Sequence, residues 1–408
     1  MRQLLSIATL ACLVVLSACG GGGGSSSNSA STTPSTNVAG SNVASITIGA
    51  GPVTNGAATT SPNIPFVTVT ICKPGTSTCA QVDHVQVDTG SAGLRLVSSQ
   101  AISSLGLTAQ TASGGGTLGE CAQFADGVTW GAVRAADVHI AGETASNIGI
   151  EISGDAAVPT PPTDCTANSS TKQTVAALGA NGILGIGTLA TDCGTACAQQ
   201  AVGIYFSCIS AVCTGTTVPV ASQVPNPVAR FASDNNGSLV MLPALPAGGS
   251  ATAQGSLIFG IGTQSNNALT GVTVYKTNSA GQFTATFSGT QLSQSLLDTG
   301  SNGLFFPDGS IPQCATTSNA SGFFCPTSTT AVSATITGTN GATTTASLSI
   351  GNAQTLFASG NFAYNDIGGP FTGTPTFDFG LPFFYGRPVY TAISGANTTG
   401  GAGPYIAF

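Results

Sequence analysis

Two short stretches of this chain repeat one set of residues whose types point to a single chemistry. The first is Val87-Asp88-Thr89-Gly90-Ser91-Ala92-Gly93-Leu94, and the second is Leu297-Asp298-Thr299-Gly300-Ser301-Asn302-Gly303-Leu304. Each puts an aspartate at the end of an apolar run and follows it with Thr-Gly-Ser. Glycine lets another backbone approach closely, and a threonine hydroxyl can hydrogen-bond across to a partner loop. If the loops meet, two carboxylates lie about 3 Å apart. At an effective dielectric of about 20, their repulsion is about 5 kcal/mol. Such a pair keeps one proton over a wide acidic range. One carboxylate then activates a water as a base, while the protonated one polarises a peptide carbonyl and later supplies a proton. This chemistry needs no covalent intermediate, metal or cofactor. Asp88 and Asp298 are therefore the candidate catalytic pair. Thr89, Gly90, Thr299 and Gly300 are expected to hold them, and Ser91 and Ser301 to hydrogen-bond their outer oxygens.

Other catalytic systems find little support. His84 and His139 are the only imidazoles. His84 alternates with Val85 and Val87 on the strand entering the first loop, so a solvated or structural role is expected for it. There is no Gly-x-Ser-x-Gly elbow with a histidine partner and no phosphate-binding glycine loop followed by lysine. The cysteine spacings are not of the paired C-x₂-C type expected for zinc. No basic run is present, which argues against nucleic-acid binding.

The elements that must position the loops read as short strands. Asn63 to Ile71 is rich in β-branched residues, and Val82 to Val87 leads directly into Asp88. The best short helices are Ser98–Leu105 and Val228–Ser233. The landmarks recur in the same order in both halves. Asn181-Gly182-Ile183-Leu184-Gly185-Ile186 follows the first loop, and Phe377-Asp378-Phe379-Gly380-Leu381 follows the second. That order predicts two related units. The 408 residues are 41% hydrophobic and only 6% charged, with a net charge of −7, which fits an all-β exported protein rather than a disordered polar tract. With so few Lys and Arg residues, little positive charge is left to repel itself in acid.

From Ile64 to Phe408 the chain resembles the pepsin-like aspartic proteases, on the strength of the two Asp-Thr-Gly loops and the apolar-Gly elements. The resemblance implies a bilobal acid-protease fold of two related β-barrel-like lobes, 46–228 and 229–408, with a cleft between them. It also implies that the apolar-Gly elements pack beneath the loops, although Asp378 departs from the family pattern. The family closes a hairpin flap over its substrate. Here the matching stretch is Cys121 to Gly131, with Phe124 where a tyrosine is expected and Asp126 and Gly127 beside it. Arg95 replaces the family's tryptophan after the first loop, so the usual hydrogen bond between those positions cannot form. Trp130 either packs in their place or is a core residue of the hairpin. The implied activity is an acid-active endopeptidase acting on extended polypeptide as a monomer. The alternative is a non-catalytic protein that binds peptide or glycan in the cleft.

Residues 1–18 read as a secretory signal. Leu16-Ser17-Ala18-Cys19 resembles a bacterial lipobox, which makes Cys19 the expected lipidation site. Acyl chains such as palmitate on Cys19 would hold the protein on a membrane, and residues 19–45 read as a Gly/Ser-rich tether. Gly20 after the cysteine resembles signals for the outer membrane. The Cys193–Cys213 cluster and Val224-Pro225-Asn226-Pro227-Val228 are similar to those of an uncharacterised group of proteobacterial lipoproteins, which fits the same location. Of twelve cysteines, Cys12 falls in the leader and Cys19 is the expected lipidation site, and an even number remains for disulfides. Cys72/Cys79 and Cys314/Cys325 are close enough in sequence to staple single loops. Cys121 and Cys165 are left for each other. Cys193, Cys197, Cys208 and Cys213 allow three pairings.

Overall fold

Strands dominate because the sequence alternates short β-branched and aromatic runs with Gly and Asn turns. The computed structural model describes residues 36, 38–167, 169–210, 212–371 and 373–408. The leader, Cys19 and most of the expected tether lie outside the described residues. Within them, one sheet has fifteen strands and another has seven.

The strand Val43–Ile48 starts inside the stretch read as tether. Its alternation buries Ala44, Ile46 and Ile48 on one face, and Asn42 before it is already fixed, donating from Nδ2 to the Phe259 carbonyl at 2.8 Å. It pairs along its whole length with Ala253–Phe259 and at its end with Pro65–Cys72. One strand thus joins elements from both halves of the sequence into the large sheet.

Each aspartate loop is set by the same three strands. In the first half, Cys79–Asp88 runs parallel to Gly182–Ile186, which runs antiparallel to Ala92–Val97. In the second, Thr290–Leu297 runs parallel to Asp378–Phe379, which runs antiparallel to Leu304–Phe306. The loop therefore leaves one strand, turns, and returns on the far side of a third strand drawn from well downstream. Matching backbone bonds tie that third strand to each loop: Gly187 N–H donates to the Ser91 carbonyl at 2.7 Å, and Leu381 N–H to the Ser301 carbonyl at 2.8 Å.

Beneath the second loop lies an aromatic core. Phe377 stacks on Phe379 at 4.1 Å and on Phe306 at 4.7 Å between centroids. Such contacts add about 0.5–1.5 kcal/mol each beyond simple burial. Because strand side chains alternate, burying Phe377 and Phe379 in this core sends Asp378 to the opposite face, toward the loop.

The first expected helix is present as Gln100–Ser104, capped by Ser99, whose Oγ accepts from Ile102 N–H at 3.3 Å. The second is only a 3₁₀ turn, Pro227–Arg230. Asn226 and Pro227 start it, but Phe231 is extended, which sets its ring edge-on against Phe259 at 5.1 Å. Five disulfides form: Cys72–Cys79, Cys121–Cys165, Cys193–Cys197, Cys208–Cys213 and Cys314–Cys325. Of the pairings left open by the sequence, the one adopted joins nearest neighbours.

Candidate active site

The two Asp-Thr-Gly-Ser loops meet and exchange hydrogen bonds. Thr89 N–H donates to Thr299 Oγ1 at 3.1 Å, and Thr299 N–H donates to Thr89 Oγ1 at 3.0 Å. Each hydroxyl then donates onward to the backbone of the other half: Thr89 to the Leu297 carbonyl at 3.1 Å and Thr299 to the Val87 carbonyl at 2.7 Å. Both threonines are buried, so these polar groups have no water to replace a lost partner. The glycines allow the approach. A Cβ at Gly90 would lie 2.7 Å from Asp298 Cγ, and one at Gly300 would lie 2.8 Å from Asp88 Cγ.

This packing sets the Asp88 and Asp298 carboxyls side by side, each against the glycine of the other loop. The inner oxygens accept from backbone: Gly90 N–H donates to Asp88 Oδ1 and Gly300 N–H to Asp298 Oδ1, both at 2.7 Å. Ser91 Oγ donates to Asp88 Oδ2 at 2.5 Å, and Ser301 Oγ contacts Asp298 Oδ2 at 2.8 Å. Burial pushes the Asp298 carboxyl well above the ordinary carboxylate range, and the charges of Asp88 and then Asp378 push it further. A cavity of about 430 Å³ opens in front of the pair, with Gln86, Phe124, Ile183, Phe305, Phe371 and Asp378 among its walls.

Three contributors were not singled out for the site from sequence. Gln86 Nε2 donates to the Gly300 carbonyl at 2.9 Å, tying the first strand to the second loop. Its signal was the two-residue period, which puts it on the same strand face as Asp88. Asn63 Nδ2 donates to the Asn302 carbonyl at 2.9 Å, while its Oδ1 accepts from Tyr364 N–H and the Tyr385 hydroxyl. Asp378, seen in the sequence only as a departure from a pattern, lines the cavity and contacts Ser301 Oγ through Oδ2 at 2.6 Å. Burial raises its carboxyl to about 7, against the pull of the Ser301 hydrogen bond and with the charge of Asp88.

The hairpin formed by Thr117–Phe124 and Gly127–Ile140 ends over this cavity. Phe124 pairs with Gly127 across a two-residue turn of Ala125 and Asp126. Asp126 accepts from Lys172 Nζ at 2.8 Å. Trp130 lies in the hairpin core: it is fully buried, its Nε1 donates to the Val158 carbonyl at 2.7 Å, and its ring meets Phe206 edge-on.

Arg95 and Phe124 do meet, by a different interaction from the one ruled out on sequence grounds. The guanidinium sits 5.8 Å from the centre of the Phe124 ring, within cation–π range. Arg95 is itself buried among Glu120, Glu151 and Asp192, at 2.5, 3.5 and 3.8 Å. Thr129 Oγ1 donates to Glu151 Oε2 at 2.7 Å, and the Tyr205 hydroxyl donates to Asp192. Burial and the charge of Glu120 raise the Glu151 carboxyl to about 8, with Arg95 pulling it down. Asp192 is raised by the same two causes.

Fold and site together define a mostly β protein with a duplicated loop motif and one aspartate pair, Asp88 buried and Asp298 half-buried, facing a cavity. The chain belongs to the family described as "Protein of unknown function (DUF3443)", which it matches over residues 38–408. No curated protein matches it.

Proposed function

We propose that this chain is a bilobal, pepsin-like aspartic endopeptidase that works in acid. The carrying observation is the reciprocal bonding of Thr89 and Thr299, which sets the Asp88 and Asp298 loops against each other. Two carboxyls so close share one proton. The ionised one takes a proton from a water lying between them, and that water attacks the scissile carbonyl. The protonated one polarises the carbonyl oxygen and afterwards protonates the leaving amine. Apolar walls at Phe124, Ile183, Phe305 and Phe371 suit an extended, apolar peptide segment. Cys19, outside the described residues, would carry the lipid that tethers the enzyme to a bacterial outer membrane.

The test is cleavage of an unfolded protein between pH 3 and 7 by the parent, Asp88→Asn and Asp298→Asn. Cleavage is expected from the parent alone, and activity that survives either substitution refutes the dyad. A second reading, a protein that binds peptide or glycan in the same cavity without cutting it, is favoured by one feature. The hairpin tip offers the Phe124 ring, already engaged by Arg95, in place of a hydroxyl. A folded parent that binds peptide or glycan without cleaving it would establish that reading instead.

A further inference from the structure

Ser301 Oγ lies 2.8 Å from Asp298 Oδ2 and 2.6 Å from Asp378 Oδ2. A serine hydroxyl carries one hydrogen, so it donates to only one of these oxygens. The other contact is a hydrogen bond only if that carboxyl carries a proton and donates to Ser301 Oγ. Without one, two oxygens face each other lone pair to lone pair in a buried setting, which is costly. The first half has no counterpart: Ser91 Oγ meets Asp88 Oδ2, and the apolar-Gly strand there offers Ile183 to the cavity. Asp378 also leaves Oδ1 buried with no partner, a setting that suits a neutral acid better than an anion. Its raised carboxyl pKa agrees.

We propose that Asp378 is a positioning residue for the aspartate pair: as a neutral acid it donates to Ser301 Oγ and so fixes the Ser301 hydrogen on Asp298 Oδ2. When Asp378 ionises, its proton leaves to solvent and Ser301 turns its hydrogen toward Asp378. Asp298 then loses a donor and gains a second negative neighbour beside Asp88. The other charged groups on the cavity wall, Asp126 and Lys172, are paired to each other at the hairpin tip. The catalytic consequence rests on the peptidase reading; the relay of hydrogen bonds does not.

The test follows the carboxyl ¹³C resonances of the aspartates in the full chain from pH 3 to 9, in the parent, Asp378→Asn, Ser301→Ala and Ser301→Thr. Asparagine has the shape of the acid and keeps an N–H for Ser301 Oγ, so it mimics the neutral state at every pH. In the parent, Asp298 is expected to report a second step as Asp378 ionises. That step should vanish in Asp378→Asn, weaken in Ser301→Ala and return in Ser301→Thr. Peptide cleavage is recorded alongside. In Asp378→Asn, the alkaline limb of kcat/KM should move up by about 0.3 pH unit or more, because only one site rather than two can then lose the proton that ends activity. An Asp298 titration unchanged by Asp378→Asn overturns the inference whether or not the chain cleaves peptide. An unmoved alkaline limb in an active Asp378→Asn overturns the positioning role. Coupled titrations in a parent that never cleaves peptide leave the relay standing and overturn the peptidase reading.

Discussion

Raising the pH should unfold this protein from the inside, and Glu151 allows the size of the effect to be worked out. Its carboxyl is fully buried and raised from 4.5 to about 8, by burial first and then by the charge of Glu120. At about 1.4 kcal/mol per tenfold change in proton affinity, that difference is worth about 5 kcal/mol. The native state binds this proton more tightly than the unfolded chain does. The stabilisation is therefore complete below about pH 4.5, is lost steadily as pH rises, and is gone above about pH 8. Asp192, Asp298 and Asp378 are raised as well, so each adds to the slope in the same direction. Urea unfolding of the oxidised chain at 25 °C from pH 4 to 9 measures it. The midpoint should fall across the range. Glu151→Gln, which keeps the shape and cannot ionise, should flatten the fall by up to about 5 kcal/mol. A midpoint that rises from pH 5 to 8, or equal slopes in parent and Glu151→Gln, would refute the reasoning.

Smaller perturbations probe the site. Gly300→Ala drives a methyl to 2.8 Å from Asp88 Cγ; the loops must separate, and cleavage should fall at least about 100-fold, as for a 1 Å misplacement of reacting groups. Thr299→Val removes a donor to the Val87 carbonyl and an acceptor for Thr89 N–H, both buried. At about 1–3 kcal/mol per orphaned group, calorimetry should show a markedly lower Tm, and an unchanged Tm would mean the exchange contributes nothing. Removing Cys121–Cys165, which ties a hairpin strand to residues 44 positions away, should cost roughly 4 kcal/mol in urea, with proteolytic nicking appearing first near the hairpin.

The pairing of the loops was legible because it is local chemistry written twice: Asp-Thr-Gly-Ser after an apolar strand, with a glycine strand downstream. The strand-rich character and the even cysteine count were legible for similar reasons, since composition and spacing carry them. The start of the fold was not. Ser41, Asn42 and Ser45 look like tether, and only the partner strand Ala253–Phe259, more than two hundred residues away, gives Val43–Ile48 its role. The helix expected at Val228 failed because tertiary packing of Phe231 outweighed weak local propensity. Gln86, Asn63 and Glu120 were hidden for a different reason. Each matters through long-range contacts, and a residue type alone does not reveal its partners.

The buried acids beside the hairpin follow from one buried cation. Arg95 lies in the interior, where its charge must be matched, since an unpaired buried cation costs several kcal/mol. Glu120 supplies a direct partner at 2.5 Å. Glu151 and Asp192 lie farther off, and Arg95 Nε, Glu120 Oε2 and Glu151 Oε1 have no hydrogen-bond partner. One cation cannot balance three anions, so the cluster approaches neutrality only when Glu151 and Asp192 hold protons. Lowering the pH favours those protons, and Arg95 is then fixed under the Phe124 ring at the hairpin tip. In alkali the surplus charge strains the elements that carry it: the hairpin strand with Glu120, the strand with Glu151, and the loop with Asp192. The acid-favoured states of this cluster and of Asp298 therefore coincide. The hairpin is held most firmly over the cavity in acid, the range in which the proposed peptidase would work.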